Sequence, residues 1–598
     1  MISSGIFILP GIAFDKAGPA VFLSYAVAGF AALIGVLSII ELSTAMPESG
    51  GDYFFITRSF GPVIGMIIGL FSWFSLSLKT AFAIYGIAEI LFSIAGFSLI
   101  LYAVAVTIFF TLLNIRGVEM AVKFEVVIVV GLLLIILTYI ISGFSHIDIN
   151  RFTNFAPNGS SSVFLTAGFV FVSFGGLLTI ASLSGEVKNP KKSIPRGVIS
   201  SIIVVTVFYV LLLIVVVGTS NSGDLVRSLS PVADSAKTFL GTGGYIMISI
   251  AAALAFISTA NAGIMSASRY PVALSHDNLL PPAFASIHKK FRTPVLSIAL
   301  TGLFITGSFF LTLELLVKIA SSIILFSYIL TNIAVIVIRE SKLQNYRPSF
   351  KVPFYPFVQI CSIFLFGFLL VKVGIAAVET LGIFIAVGLM IYLLYGRKNH
   401  QSEYALIYLI ERIVNRKISS ADLETELKEI LQKRDNIVMD RFHHLVEDSV
   451  FMDIDERMNR DQLFRQIAEQ FSGDLELKPD ELLNYLAERE NESSTALTLF
   501  LAVPHIIIEG NHIFKMFVIR ARKGVRYSDQ YDSVKAVFVL IGSKDERQFH
   551  LQALSAIAQI TWNKNFEKQW LGAKSTQHLK DICLLSERKR HHMHTKPD

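Results

Sequence analysis

The sequence predicts an α-helical membrane protein joined to a smaller α/β module, and three observations carry that fold class. Of 598 residues, 53% are apolar and only 16% charged, where globular chains average about 25% charged. That deficit is confined to residues 1–396, where apolar segments of bilayer-crossing length recur between short loops. Residues 397–598, by contrast, have the charge density of a soluble protein and mix helical with strand periodicity. The expected order is a membrane body at 1–396, a helical linker at 397–444, an α/β domain at 445–580 and a basic, disordered tail at 581–598.

In the membrane body, apolar runs fall near 20–45, 62–91, 98–114, 124–143, 163–185, 198–218, 243–267, 295–312, 315–338, 356–372 and 376–395. With a stub at 5–14 they make about 12 spans, each near the roughly 20 residues a bilayer demands. Lys and Arg concentrate in alternate loops, among them Arg58, Lys188, Arg196, Arg269, Lys289 and Arg339. By the positive-inside rule those loops face the cytoplasm, and so does the C-terminal module. The expected location is therefore the cell (inner) membrane, multi-pass, with the lipid bilayer as solvent. Pro10 interrupts the N-terminal apolar run, which argues against a cleavable signal peptide. Cys361 and Cys583 lie far apart without ligand-like spacing, so neither a disulfide framework nor a metal site is expected. The net charge of +6 is modest, and nothing points to nucleic-acid binding or to a cofactor.

Two apolar runs are interrupted by small polar residues. The first is Ile2-Ser3-Ser4-Gly5 and the second Ser173-Phe174-Gly175-Gly176. Glycine within a helix costs about 1 kcal/mol relative to alanine. Small residues also serve close helix packing in membranes. Five spans separate the two breaks, however, so they occupy corresponding places in two five-helix halves. That is the arrangement of an inverted-repeat transporter, in which broken helices line the binding site.

The residues at and beyond the breaks carry a resemblance. Ile2-Ser3-Ser4-Gly5-Ile6-Phe7, Glu41 to Pro47 followed by Ser49-Gly50-Gly51-Asp52-Tyr53, Glu186-Val187-Lys188-Asn189-Pro190, Ser268-Arg269 and Arg347-Pro348 occur in order over 1–395. Together they resemble the amino acid–polyamine–organocation (APC) transporter family. The resemblance implies an inverted five-helix repeat, no enzymatic activity, and transport of amino acids or related amines. It also implies that the inner half of the first helix precedes Ile2, so that Met1 sits inside a truncated helix. A chain extended upstream is then expected to transport better. The substrate carboxylate would meet the N–H groups of Ser3, Ser4 and Gly5 at a positive helix end. The ammonium would face backbone carbonyls near Ile2, Val172, Ser173 and Phe174, with Gly175 and Gly176 letting the helix unwind. Ser3 stands where the family usually has glycine, and Leu177 where a gating aromatic is expected.

Lys79 lies in the middle of the third span, where a lysine is costly unless it pairs or faces water. It is expected either to take up and release a coupling proton or to bridge helices structurally. Ser258 and Thr259 offer a sodium ion as the alternative coupling partner. Glu41, near a helix end, reads as a packing or loop-anchoring residue.

In the soluble half, helical spacing appears at 404–414 and at Leu423, Leu427, Ile430 and Leu431, then at 460–471, 479–488 and 548–561. Strand-like runs occupy 496–503, 513–520 and 534–541. Pro504-His505 follows a strand, accompanied by Arg489-Glu490, Ser493-Ser494-Thr495, Gly510 and His550-Leu551. Over about 445–575 these resemble the mannitol/fructose-type enzyme IIA domain of the bacterial phosphotransferase system. The resemblance implies that His505 accepts phosphate from a phosphocarrier protein, with His550 as its partner and Arg489 as the stabilising cation. The residue types suit that work, since an unprotonated imidazole is a nucleophile and a guanidinium matches phosphate. No sugar-specific partner domain accompanies the module, which favours regulation over sugar relay. A membrane receptor signalling through the module, or a phosphotransferase component, are the rival readings.

Overall fold

A computed structural model describes residues 5–590 apart from 49, 118–120, 177–181, 183, 229, 398–402, 415–421 and 476. The chain forms two compact units, Met1–Ile430 and Leu431–Asp598.

The first unit is helical. In order it contains α1 (Gly5–Ala17), α2 (Val21–Ala45), α3 (Gly51–Phe60), α4 (Pro62–Ala95), α5 (Leu99–Ile115), α6 (Ala121–Phe144) and α7 (Ser160–Val170). After α7 come α8 (Pro190–Thr219), α9 (Ser222–Arg227), α10 (Pro231–His276), α11 (Val295–Ser308), α12 (Leu313–Ser341), α13 (Phe357–Val373) and α14 (Ile375–Ile391). Two further helices, α15 (Ala405–Val414) and α16 (Asp422–Arg434), complete the series. Among the described residues, seven stretches are long and apolar enough to cross a bilayer. The shorter apolar helices Leu99–Ile115, Ser160–Phe174, Val295–Ser308 and Phe357–Val373 are interspersed with them. The chemistry of the boundaries is local. Pro62, Pro190 and Pro231 open their helices at the position where a missing N–H costs nothing. Gly96 closes α4 in the left-handed region.

The widest difference from the expected spans is α10. It covers 46 residues where 243–267 was expected, and it is two helices meeting at a kink at Gly241, whose φ of 63° a side chain would strain. At the end of the bundle that carries Arg339, Glu41 accepts from that arginine, from Tyr346 Oη at 3.0 Å and from the Val352 N–H at 2.7 Å. It therefore anchors the loop after α12.

The expected linker does not stand apart over its whole length. Leu423, Leu427 and Ile430 are buried in the apolar core of the membrane unit. Glu424 accepts from the backbone N–H groups of Gln344 at 2.9 Å and Asn345 at 3.1 Å. The division into units consequently falls inside α16, at Ile430, and not at 396.

The second unit holds α17 (Arg441–Asp448), β1 (Val450–Ile454), β2 (Met458–Asn459), α18 (Arg460–Phe471), α19 (Pro479–Glu492), β3 (Leu501–Ala502) and β4 (His505–Ile508). It continues with β5 (Phe514–Arg526), β6 (Val534–Ser543), α20 (Arg547–Thr561), α21 (Phe566–Gly572) and α22 (Thr576–Leu585). Antiparallel β5 and β6 form the middle of the sheet, β1 and β2 run parallel to β5, and β3 and β4 run parallel to β6. Alternation then divides the core. Met516, Val518, Phe538 and Leu540 pack with α17, α20, α21 and α22, while Phe517, Ile519, Val537 and Val539 pack with α18 and α19. The result is a sheet covered on both faces, as its nearly continuous apolar runs require.

The tail expected from 581 onward begins later. Cys583 and Leu584 are buried in the module core, and Arg588 forms a buried pair with Asp440 at 2.6 Å. Residues 591–598 lie outside the described residues.

Candidate functional site

Gly5, the last residue of the first interrupted run, meets the second. A Cβ placed on Gly5 would lie 2.3 Å from Ser173 Oγ and 3.2 Å from Ser173 Cβ, so α1 approaches the turn after α7 closely enough that a side chain there would displace Ser173. Ile2, Ser3, Ser4 and Leu177 lie outside the described residues. The α-helix ends at Val170, and Phe171–Phe174 continues as a tighter 3-10 turn in which Gly175 N–H donates to Val172 O at 3.0 Å. Val172, Ser173 and Phe174 are buried; Gly176 is partly exposed.

Ser321 on α12 closes the break. Its hydroxyl donates to Phe169 O at 2.8 Å and accepts from Val172 N–H at 3.0 Å. One side chain thus replaces backbone partners that the change of helix type removes. Nothing in the sequence singles Ser321 out, because serines in membrane helices most often bond their own preceding turn.

Lys79 is buried on α4, and its aliphatic stem reaches the second break: a Cβ on Gly175 would lie 3.7 Å from Lys79 Cδ. Among the described residues it makes no ion pair. Ser258 and Thr259 lie half-buried on α10. At the other end of α1, Lys16 pairs with Glu314 at 2.7 Å, and Lys318 reaches the same carboxylate at 3.0 Å. Lys16 also lies 5.5 Å from the Phe169 ring, so α1, α7 and α12 are tied at that end.

The opposite end carries a second polar network. Buried Asp52 accepts from Ser72 Oγ at 2.6 Å, Tyr270 Oη at 2.8 Å and Tyr53 N–H at 3.1 Å. Next to it, Arg58 bridges Asp277, at the end of α10, and Glu426 on α16, each at 2.6 Å. These partners are far apart in sequence, and only the run around Asp52 marked the place in advance.

In the second unit, His505 begins β4 and its ring is fixed from two sides. Its Nδ1 lies 2.9 Å from Val503 O, and its Nε2 lies 3.0 Å from Arg489 Nη2. A carbonyl only accepts and a guanidinium only donates, so these contacts select the neutral tautomer with the proton on Nδ1 and the lone pair on Nε2. Arg489 is in turn held by Ser493, through O at 3.2 Å and Oγ at 3.0 Å. Buried Glu490 accepts from Ser494 Oγ, Thr495 N–H and Thr495 Oγ1, which shapes the turn after α19. His550, at the start of α20, stacks edge-on against His505 with ring centroids 5.6 Å apart. Its Nε2 is buried without a hydrogen-bond partner. Burial, and next the neighbouring His505, lower its pKa to about 4. The arrangement places a nucleophilic nitrogen beside a fixed cation, with a second, neutral imidazole against the first.

A bundle of apolar helices in which α1 meets an interrupted helix, joined to an α/β module with a paired-histidine site, defines a permease carrying a phosphotransferase-type domain. The chain belongs to the amino acid permease family, which matches residues 1–395. Residues 443–585 match the EIIA 2 domain of the phosphoenolpyruvate-dependent sugar phosphotransferase system. The methylthioribose transporter of Bacillus subtilis (strain 168) is 31% identical over 430 residues, covering 67% of this chain and 91% of its own. The branched-chain amino acid permease BcaP of the same organism is 27% identical over 429 residues, covering 67% and 90%. Among solved structures, the nitrogen regulatory protein IIA-Ntr of Neisseria meningitidis covers 23% of this chain and 99% of its own at 21% identity, with a TM-score of 0.22. The family and the apolar helices together make this a multi-pass membrane protein.

Proposed function

We propose that this chain carries amino acids or related amines across the cell membrane by alternating access, and that its cytoplasmic EIIA-like module regulates the carriage through a phosphohistidine. The observation that carries the reading is the meeting of Gly5, at the start of α1, with the 3-10 turn at Ser173, where the second helix is interrupted. Broken helix ends present N–H groups to a carboxylate and carbonyls to an ammonium. The substrate carboxylate binds at Ser3, Ser4 and Gly5, and its ammonium faces Ile2, Val172, Ser173 and Phe174. Gly175 and Gly176 supply the freedom to unwind. Lys79, against Gly175, is the coupling residue and exchanges a proton during the cycle.

In the module, His505 Nε2 attacks the phosphorus of a phosphocarrier protein. The Nε2–P bond forms as the carrier's bond to phosphorus breaks. Arg489 balances the charge on the phosphoryl oxygens, and the neighbouring His550 imidazole hydrogen-bonds His505 or the phosphate.

Purified full-length protein in proteoliposomes is expected to take up labelled amino acids under a proton gradient, and Lys79→Ala to lose the pH dependence of uptake. Failure to accumulate any amino acid or amine would leave a receptor in its place. Incubation with phosphoenolpyruvate and the general phosphotransferase proteins is expected to label wild-type protein and not His505→Ala.

A further inference from the structure

A cavity of about 450 Å³ lies along α1 just beyond Gly5, on the side toward Lys16. Its walls come from α1, α4 and α10, with Phe7, Tyr85, Glu89, Tyr245 and Phe256 supplying the charge and the rings. The volume falls within the ~300–1,000 Å³ of small-molecule sites. The helices around it are tightly clamped. A Cβ on Gly86 would lie 2.6 Å from Phe256 Cε2 and 2.9 Å from Ile8 Cδ1, and the Phe7 and Phe256 rings meet edge-on at 6.2 Å. The helices that bound the hollow are therefore in close contact beside it.

Glu89 is the one charged residue of the lining. A carboxylate on a membrane-spanning helix is costly, and such residues mark ligand pathways. Here it stands about 15 Å along α4 from Lys79, at 1.5 Å per residue, and on a different side of the helix. The two charges therefore serve different places. A single carboxylate with several aromatic faces in an otherwise apolar cavity has a defined complement: an organic ammonium, paired by its charge and covered by ring faces. An anion or a strongly hydrated inorganic ion has no matching partner.

We infer that this cavity is a binding site for organic ammonium ions with an apolar body, separate from the helix-break site. The inference goes beyond the transport reading and does not depend on uptake. Glu89 confers preference for ammonium-bearing molecules over neutral ones of the same shape. An acyl chain or neutral solute occupying the cavity is the competing outcome, and it predicts no role for the charge.

The test measures binding of benzylammonium and of benzyl alcohol to purified full-length protein in lipid nanodiscs by titration calorimetry. Wild-type protein is expected to bind benzylammonium at least about tenfold more tightly than the alcohol. Glu89→Gln is expected to remove that preference while alcohol binding, which reports an intact cavity, stays unchanged. Glu89→Asp is expected to retain part of it. The site is overturned by equal binding of both probes to wild-type protein, by binding of neither, or by an unchanged preference in Glu89→Gln. Proteoliposome uptake reports separately. Selective binding without any uptake would retire the transport reading and keep this site, whereas uptake without selective binding would do the reverse.

Discussion

Gly5 has no side chain because none fits, and the neighbour that would be struck is Ser173. Overpacking at such a contact costs about 1–3 kcal/mol, and here the cost falls on the helix breaks themselves. Gly5→Ala is expected to lower the initial uptake rate by about tenfold or more, with normal yield of folded protein. Adding Ser173→Gly is expected to restore part of the rate, since the pair shares one contact. Equal uptake by Gly5→Ala and wild type would show that the helices need not touch. The second break was legible, because a serine and two glycines stand out in an apolar run. Ser321, which closes it, was not, since its bonds to Phe169 and Val172 span distant parts of the chain.

His550 gives a second consequence of local burial. Its pKa is lowered from 6.5 to about 4, so the folded module holds it neutral while the unfolded chain binds a proton below 6.5. The unfolded state thus gains protons over that interval, and stability falls as the pH drops from about 6.5 toward 4. Above 6.5 this contribution is complete. Hydrogen exchange of α20 in the full-length protein is expected to quicken over that interval, and His550→Gln to flatten the dependence. A wild-type profile that stays level across the interval would contradict the buried neutral imidazole.

Helices α15 and α16 show why an amphipathic stripe is only half a description. Leu423, Leu427 and Ile430 announce a face that seeks cover, but not which surface covers it. The structure supplies the membrane unit itself, with Arg58 joining Asp277 at the end of α10 to Glu426 on α16. The two pairs differ in burial. The side chains of Arg58 and Asp277 are 14% and 18% exposed, whereas Glu426 is 36% exposed. Asp277→Asn leaves a largely buried guanidinium short of its main partner and is expected to cost on the order of 3 kcal/mol. Glu426→Gln is expected to cost about 1 kcal/mol or less. Denaturation midpoints of the purified variants check the order, and a larger loss for Glu426→Gln would reverse the assignment. The kink in α10 escaped the sequence for a related reason. Gly241 is followed closely by Gly243 and Gly244, and composition does not say which of them takes a φ of 63°.

The presence of a helical membrane body and a separate α/β module was legible from charge density and periodicity. What joins them was not, because residues 397–444 carry no motif and their role depends on partners elsewhere in the chain. The domain boundary now falls within α16, so one continuous helix belongs to the membrane unit at its start and to the module at its end. If the module regulates transport, this helix is the covalent route. A phosphoryl group on His505 adds about −1.5 to −2 charges to the module, and it can alter transport only by favouring one arrangement of the permease over another. The grip of α16 on the permease, through Glu424 with the loop after α12 and Glu426 with Arg58, is where such a preference would be delivered. Uptake by phosphorylated and unphosphorylated wild-type protein is expected to differ by about fivefold or more, in the range of ordinary site-to-site coupling. His505→Ala is expected to be insensitive to the phosphorylating system. Glu424→Gln combined with Glu426→Gln is expected to accept phosphate at the normal rate and yet show no difference in uptake, because the module has lost its hold on the bundle. Phosphate-dependent uptake that survives the double substitution would place the coupling outside α16, and uptake that ignores phosphate in wild-type protein would end the regulatory reading while leaving the permease intact.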